Sequence, residues 1–442
     1  MKFFGSRALW AISIPLLFAE LSEIILHVTD TLFLSRVGVT ELGAVGLADS
    51  AIEIALVLAL GLVDGIQILT ARQIGRRRPR RAMRIFNLGF LLTLFVSTIL
   101  AILLRLNAEA VAEWIVESDA VGSALLDFVN VAWIGIPFTV GCFAYSALLV
   151  NFGRTRVLMP ATLLLMVTNA AFDYVLIFGK IGFAPMGIRG AALGSVIAEV
   201  VVFVFLTAYV WKSPAIRRYG IFRIGGPPWR LFARLIRISS PVSLQGLVEA
   251  IRWFVFFVIL ERVGLVALAI ANVIYVCYTV MRIPTEAFGE TTCSAVSRLI
   301  GRDRLDRIEP VVQRSIRAAA LATFPLVAIA MIAPEWVLSA FDLDAALLPA
   351  GAASLRVVAL AMAIVVPGEM WFTAVLGTGD TRASLGIEIT LTIVMLATCW
   401  IAAIPLAGGP ALIWCSLGLG WLVTLAVSYG WMKSGSWKRY AY

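Results

Sequence analysis

The chain is poor in charged residues and almost without histidine. Of its 442 residues only 14% are charged, a single histidine occurs at position 27, and 61% are hydrophobic. Soluble domains carry about 25% charged and about 45–50% apolar residues. A soluble core cannot absorb this excess of apolar side chains, so the composition predicts an integral membrane protein.

Motifs typical of catalytic and metal sites are also missing. The five cysteines lie in apolar stretches without CxxC or metal-ligand spacing, which indicates small core residues rather than disulfides or metal ligands. There is no HExxH, GxSxG or P-loop motif. We therefore expect no enzymatic activity and no cofactor, and an ion gradient as the energy source. An intramembrane enzyme acting on lipid-linked substrates stays open as an alternative, although no reactive group stands out.

Apolar segments dominate what is present. A bilayer core of roughly 30 Å needs about 20 helical residues, and twelve segments reach that length. They are 8–35, 42–71, 84–105, 124–150, 157–178, 188–211, 235–262, 266–297, 312–333, 346–377, 384–405 and 409–432. The first has no small-residue cleavage site after it and is interpreted as a retained helix, which Pro15 can bend.

The basic residues predict the orientation in the membrane. With the N-terminus in the cytoplasm, 28 of the 36 Lys and Arg fall in the termini and loops on the cytoplasmic side. Such asymmetry is the positive-inside rule, so the net charge of +9 indicates topology and not nucleic-acid binding. Both termini are predicted to be cytoplasmic. The preference for Arg over Lys suggests a prokaryotic source, and hence the inner or plasma membrane.

The chain repeats itself at a distance of 226 residues. This shift pairs Pro15 with Pro241, Glu23 with Glu249, and the Gly-Arg-Thr-Arg loop at 153–156 with a Gly-Asp-Thr-Arg loop. An even number of spans in each half predicts two lobes related by an axis along the membrane normal, and rocking of two such lobes gives alternating access to a central cleft. The predicted parts are an N-lobe at 1–211, a basic cytoplasmic linker at 212–234 and a C-lobe at 235–442.

Several motifs together resemble the multidrug and toxic compound extrusion (MATE) family. They are an early Ile-Pro followed by DTLFLSRVG, NAAFDYVLIFG in the fifth span, PVSLQGLVE in the seventh, and the two Gly-[Asp/Arg]-Thr-Arg loops. The resemblance covers the whole chain. It implies an all-α membrane protein with twelve transmembrane helices, in two pseudo-symmetric six-helix lobes around a V-shaped cleft. It also implies an antiporter that exports amphipathic, often cationic compounds against inward flow of protons or sodium ions.

The resemblance is strongest to the DinF-like branch, and it implies where the coupling ion binds. In that branch a helix 1 aspartate fifteen residues after the proline neighbours a helix 5 aspartate four residues after an asparagine. The matching residues are Asp30, Asp173 and Asn169. The helix 7 glutamate used elsewhere in the family maps onto Glu249. The helix 10 acid of the NorM-like branch is not filled in register, and Glu369 is the nearest candidate, which puts a C-lobe cation site in doubt.

The residues themselves support a coupling site in one lobe. An aspartate at mid-span costs about 2.5–3.5 kcal/mol, so Asp30 and Asp173 should face a partner or water at a similar depth. Such a pair can hold one proton, or its oxygens and that of Asn169 can coordinate Na⁺. A structural polar cluster that joins the two helices is the alternative. The positions 226 residues later are Phe256 and Cys399, so the C-lobe has no acidic counterpart.

Other ionisable residues inside the spans have weaker interpretations. Glu23 and His27 lie on the same helical face as Asp30 and would either relay protons to it or serve as structural hydrogen-bond partners. Glu249 is three residues before Arg252 and could pair with it. Asp64 and Glu290 are repeat-related and either line the cytoplasmic mouth or pair with arginines.

The predicted partners are small organic cations and the lipid bilayer, with no nucleic acid, and the protein is predicted to be a monomer. The main rival is a flippase for lipids or lipid-linked oligosaccharides from the same superfamily. Such flippases tend to have a cationic cavity for diphosphate, whereas here acids outnumber Arg252 and Arg282 inside the spans.

Overall fold

The computed structural model describes residues 5–116, 118–223, 229–341 and 346–440. Those residues form fifteen α-helices joined by short turns, and they contain no β-strand. The helices are α1 Ser6–Leu34, α2 Val39–Gly75, α3 Pro79–Ile115, α4 Asp119–Ala132, α5 Ile136–Phe152, α6 Leu158–Phe178, α7 Ile188–Lys212, α8 Pro214–Arg217, α9 Trp229–Val263, α10 Leu265–Gly301, α11 Ile308–Ile332, α12 Pro334–Ser339, α13 Leu348–Gly377, α14 Thr381–Ala403 and α15 Pro410–Ser434. Part of the predicted linker, 224–228, lies outside the described residues.

The transmembrane segments agree in number with the prediction. Within the described ranges, eleven helices are long and apolar enough to cross a membrane, and α4 with α5 makes up a twelfth span bent by 52°. The chain is therefore an all-α, multi-pass membrane protein. The predicted segment 124–150 falls within this bent span, and a turn at 133–135 divides it into two helices. Pro137, in the first turn of α5, cannot donate to a preceding carbonyl, which is compatible with a helix that begins at this point.

The 226-residue repeat is visible in the backbone. Helices α2 and α10 both contain 37 residues, and each boundary of α10 lies 226 positions after the matching boundary of α2. Two residues beyond each helix, the chain adopts the left-handed conformation, with φ of 59° at Arg77 and 57° at Asp303. The same turn therefore closes the second span of each half.

The chain folds into two compact units whose limits differ from the halves of the repeat. One unit contains residues 18–243 and is called the first unit; the other, the second unit, contains residues 1–17 and 244–442. Helices α1 and α9 each continue from one unit into the other, at positions 226 residues apart. The lobe limits inferred from the repeat remain a prediction, since contacts and sequence repeat define different boundaries.

Within each unit, hydrogen bonds hold the segment of α1 or α9 that belongs to that unit. In the second unit, Ser13 and Thr291 form a hydrogen bond of 2.8 Å between their hydroxyl groups. In the first unit, Ser243 donates to the carbonyl of Leu58 at 2.8 Å, and a side chain at Gly61 would collide with Ser243. Glycine at position 61 thus allows the start of α9 to pack closely on α2.

Candidate functional site

Helix α6 supplies two of the three predicted coupling residues. Asn169 and Asp173 are four residues apart and so lie on one helical face. Both side chains are fully buried, with 0% exposure. Asp30 of α1 lies within hydrogen-bonding reach of the Asp173 carboxyl and beside Asn169. The structure therefore brings the three residues together, and all of them belong to the first unit.

Helix α7 completes the surroundings of this cluster. Gly194 passes directly against Asp173, and a Cβ atom at that position would collide with Asp173 Oδ1. The next residue, Ser195, accepts a hydrogen bond of 3.2 Å from Asn169 Nδ2. Sequence reasoning did not find either residue. The amide of Asn169 is thus oriented by α7, and its oxygen is directed away from Ser195.

The oxygens at this site lack hydrogen-bond donors. Asp30 Oδ1, Asn169 Oδ1 and both carboxylate oxygens of Asp173 are buried without a hydrogen-bond partner in the described part of the chain. A buried charge left unpaired is costly, and two close carboxylates also repel each other. A proton shared between the carboxyls, or a small cation among the oxygens, would remove both costs.

A metal ion at this site would have to be coordinated by the side-chain amide of Asn169. Within the described residues, no three His, Cys, Asp or Glu side chains are grouped in a way that could hold a metal ion. A Na⁺ ion at this site would therefore need Asn169 Oδ1 as a third protein ligand beside the two carboxyls. Oxygen-only ligation is what a hard monovalent cation prefers.

The other two residues of the predicted row on α1 are exposed, and their role as a proton relay stays a prediction. The His27 side chain is 69% exposed and pairs with the carboxylate of Asp49 of α2, at 3.9 Å between Nδ1 and Oδ2. Glu23 is also exposed. Asp49 is close enough to interact electrostatically with Asp30 as well as with His27. Sequence reasoning overlooked Asp49, although an acid inside an apolar span was a usable signal.

The second unit contains a separate buried ionic network. Arg252 of α9 pairs with Glu388 of α14 and with Glu249, at 3.2 Å for the latter. Arg282 of α10 pairs with Glu249 at 2.9 Å and with Glu286 at 3.0 Å. The expected contact between Glu249 and Arg252 is present. Two guanidinium groups therefore contact Glu249, and a role for Glu249 in binding a cation stays a prediction.

Glu369 lies beside this network, and the ion pairs between described residues do not include it. It is 7% exposed on α13 and interacts electrostatically with Arg282 and three neighbouring glutamates. Glu388, which sequence reasoning did not consider, is among these. Four carboxyl groups thus face two guanidinium groups, and Glu249 and Glu369 belong to one connected cluster.

Two further residues were predicted to lie near the cytoplasmic mouth. Asp64 on α2 is half-buried in the first unit, and Glu290 on α10 is half-buried in the second. A role at the cytoplasmic mouth stays a prediction for both. Helix α1 continues through Pro15 without interruption, and the bend expected at this proline also stays a prediction.

Comparison with known proteins gives matches over nearly the whole chain. The family model MatE matches twice, at residues 15–175 and 241–401, two stretches 226 positions apart. A protein of Agrobacterium fabrum named "Probable multidrug resistance protein NorM" is 26% identical, with 95% of this chain and 92% of that protein covered. A similarly named protein of Bradyrhizobium diazoefficiens is 23% identical over 93% of this chain and 90% of its own length. The solved structure "Crystal structure of MATE in complex with MaL6" superposes with a TM-score of 0.90 at 20% identity, covering 98% of this chain and 97% of that one.

Proposed function

Because the chain belongs to the MatE family of membrane transporters, we propose that it is a secondary active antiporter that exports amphipathic, cationic organic compounds. Relatives named as probable multidrug resistance proteins support the export of drugs, and the acids inside the spans favour cationic compounds. An inward-moving proton supplies the energy, about 2.3 kcal/mol for each 100 mV of membrane potential. The protein works as a monomer in a prokaryotic plasma membrane, with both termini in the cytoplasm.

We assign the coupling site to Asp30 and Asp173 because of the buried oxygens that lack hydrogen-bond partners around Asp173 in the described part of the chain. Asp30 and Asp173 lie within hydrogen-bonding reach of each other, and in the described part of the chain Asp30 Oδ1 and both carboxylate oxygens of Asp173 are buried without a hydrogen-bond partner. One proton changes this, because a protonated carboxyl donates to its ionised neighbour. Loading and release of that proton at Asp30 and Asp173 accompany the rocking that gives alternating access.

A sodium ion is the second candidate for the coupling ion. The observation that favours it is Asn169 Oδ1, a fourth buried oxygen without a hydrogen-bond partner among the described residues. The proton is the better assignment because the two carboxyls are already in mutual hydrogen-bonding reach, which a proton satisfies without further ligands.

A flippase for lipid-linked diphosphates finds less support. Such a function needs unpaired cationic side chains inside the membrane to bind phosphate. Arg252 and Arg282 are the basic residues that sequence reasoning placed well inside the spans, and both are engaged by glutamates. Their charge is therefore already compensated.

The test is efflux of a fluorescent organic cation from proteoliposomes, with an imposed pH gradient and, separately, an imposed Na⁺ gradient. We expect the pH gradient alone to drive efflux. Asp30→Asn and Asp173→Asn should each reduce it at least about tenfold while the protein remains folded and inserted. Glu261→Gln, at an exposed acid near the end of α9, is the control and should keep full activity.

Each arm has an outcome that contradicts the proposal. Full pH-driven efflux from both aspartate variants would place the coupling site elsewhere. Efflux driven by Na⁺ alone would replace the proton with a cation at the same oxygens. No efflux with either gradient would favour the flippase, which translocation of a lipid-linked diphosphate would then test.

A further inference from the structure

Helix α7 carries a glutamate that the proposed coupling site does not use. Glu199 lies near the middle of α7, a span from Ile188 to Lys212, and its side chain is partly buried. An ionised carboxyl at such a depth costs about 2.5–3.5 kcal/mol unless a partner compensates it. None of the ion pairs between described residues includes a basic partner for Glu199.

The Glu199 carboxyl occupies the break in the bent span. Gly135 is the last residue of the turn between α4 and α5, and a Cβ atom there would collide with Glu199 Oε2. The carbonyl oxygen of Ala132 lies 3.3 Å from the same Cβ position. The absence of a side chain at Gly135 thus makes room for a carboxyl group among backbone atoms that a continuous helix would enclose.

Side chains of α5 form the rest of this environment. The Thr139 hydroxyl, one turn into α5, lies within hydrogen-bonding reach of the Glu199 carboxyl. The titratable neighbour recorded beside Glu199 in the described part of the chain is the thiol of Cys142. An ionised carboxyl can accept from Thr139, whereas a protonated one can also donate to a backbone carbonyl in the break. Both protonation states therefore have partners.

Glu199 is one helical turn from the coupling site. Ser195, which accepts the hydrogen bond from Asn169, precedes Glu199 by four residues on the same face of α7, or about 6 Å along the axis. Glu199 lies on the side of Ser195 towards Lys212, the end of α7 assigned to the cytoplasm. Ser195 accepts from Asn169 and keeps its own O–H to donate.

We propose that Glu199 is a second proton-binding group, which receives the coupling proton from the Asp30–Asp173 pair and releases it towards the Lys212 end of α7. The inference rests on the proposed function. In this step Asp173 gives up its proton and becomes ionised, Ser195 and intervening water carry it along α7, and the Glu199 carboxylate takes it up. The break between α4 and α5 supplies the polar surroundings in which Glu199 changes state.

Infrared spectroscopy of the whole protein in nanodiscs tests the titration directly. The difference spectrum between low and high pH contains bands from carboxylic acids that lose their protons. Glu199→Gln should remove one such band, and Thr139→Val should change the pH at which that band disappears. Glu261→Gln, as control, should leave this band in place. An unchanged spectrum in Glu199→Gln would show that Glu199 does not titrate and would overturn the proposal.

Transport measurements test whether the proton uses this group. In proteoliposomes with a pH gradient, Glu199→Gln should slow efflux about tenfold or more and flatten its pH profile, with the KM for the organic cation unchanged. Loss of the infrared band together with wild-type efflux would place Glu199 off the proton route and overturn the proposal. Full efflux from Asp30→Asn would instead overturn the proposed function, so the two failures are distinguishable.

Discussion

At the residue scale, Gly194 determines where the Asp173 carboxyl can lie. A glycine inside a transmembrane helix lowers helix stability by roughly 1 kcal/mol relative to alanine. Here its missing side chain leaves the space that Asp173 Oδ1 occupies. The carboxyl is thereby held against α7 and directed to the oxygens of Asp30 and Asn169.

Gly194→Ala should therefore impair transport without unfolding the protein. The new methyl group displaces Asp173 Oδ1 and separates the carboxyl from Asp30, so we expect pH-driven efflux to fall about tenfold. Proteoliposome efflux is the measurement, with thermal unfolding as the check on stability. Gly430→Ala on α15 is the matched control, because a Cβ atom there meets no atom within 4 Å. Equal efflux from both variants would contradict the positioning role of Gly194.

The sequence indicated some of these residues and not others for a physical reason. Asn169 and Asp173 were predictable because a spacing of four places both on one face of a helix. Asp49, Glu199 and Glu388 lie in apolar spans, and neither the helical period nor the residue spacing says which neighbouring helix they face. Their partners depend on tertiary packing, which one sequence does not reveal.

At the element scale, a single helix and a broken one look alike in hydropathy. The segment 124–150 is apolar throughout and was predicted as one span. The structure divides it at 133–135, where Pro137 begins α5 and Gly135 admits Glu199. Pro137 was the local signal of this break. Proline alone does not predict a break, because other prolines of this chain, such as Pro15 in α1, lie inside continuous helices. The sequence did not reveal that Glu199 of the neighbouring helix α7 lies against Gly135.

The ion pair between Arg252 and Glu388 joins α9 to α14 and should dominate the stability of that contact. Both side chains are nearly fully buried, with 2% and 5% exposure. Arg252→Met leaves Glu388 as an uncompensated buried charge, which should lower the free energy of unfolding by about 3–5 kcal/mol. The double variant Arg252→Met with Glu388→Gln should recover most of this loss, because it removes both charges.

Thermal unfolding of the purified protein in detergent measures both effects. Arg356→Met is the control, since Arg356 pairs with Glu335 at 3.2 Å on the surface and exposed pairs contribute about 0–1 kcal/mol. A similar loss of stability in Arg252→Met and Arg356→Met would show that burial does not strengthen the first pair. A double variant less stable than Arg252→Met alone would contradict the explanation by uncompensated charge.

At the scale of the whole molecule, the repeat predicted two related halves, whereas the two compact units have other limits. Matching boundaries of α2 and α10 follow from similar local sequence in the two halves. Contacts between helices define the units, and they assign residues 1–17 to the unit that contains 244–442. For example, Ser13 forms a hydrogen bond with Thr291, another residue of this unit. Long-range packing of this kind leaves no periodic signal.

The exchange of helix segments predicts that neither half of the chain folds by itself. A chain ending at residue 223 and a chain beginning at residue 229 each carry a segment that belongs to the unit of the other. Expressed separately, each half should aggregate or be degraded, because buried residues such as Leu9 lose their partners. Expressed together, they should form a stable complex and restore pH-driven efflux.

Size-exclusion chromatography of fluorescent fusions, followed by the efflux assay, distinguishes the possibilities. A first chain that starts at residue 18 is the informative variant. It keeps the complete coupling site of Asp30, Asn169 and Asp173 but lacks the segment that belongs to the second unit. Co-expression with this shortened chain should give an unstable second unit and little efflux. A chain of residues 229–442 that is monodisperse and as heat-stable alone as the complex would contradict the exchange, because its fold would then not depend on the start of α1.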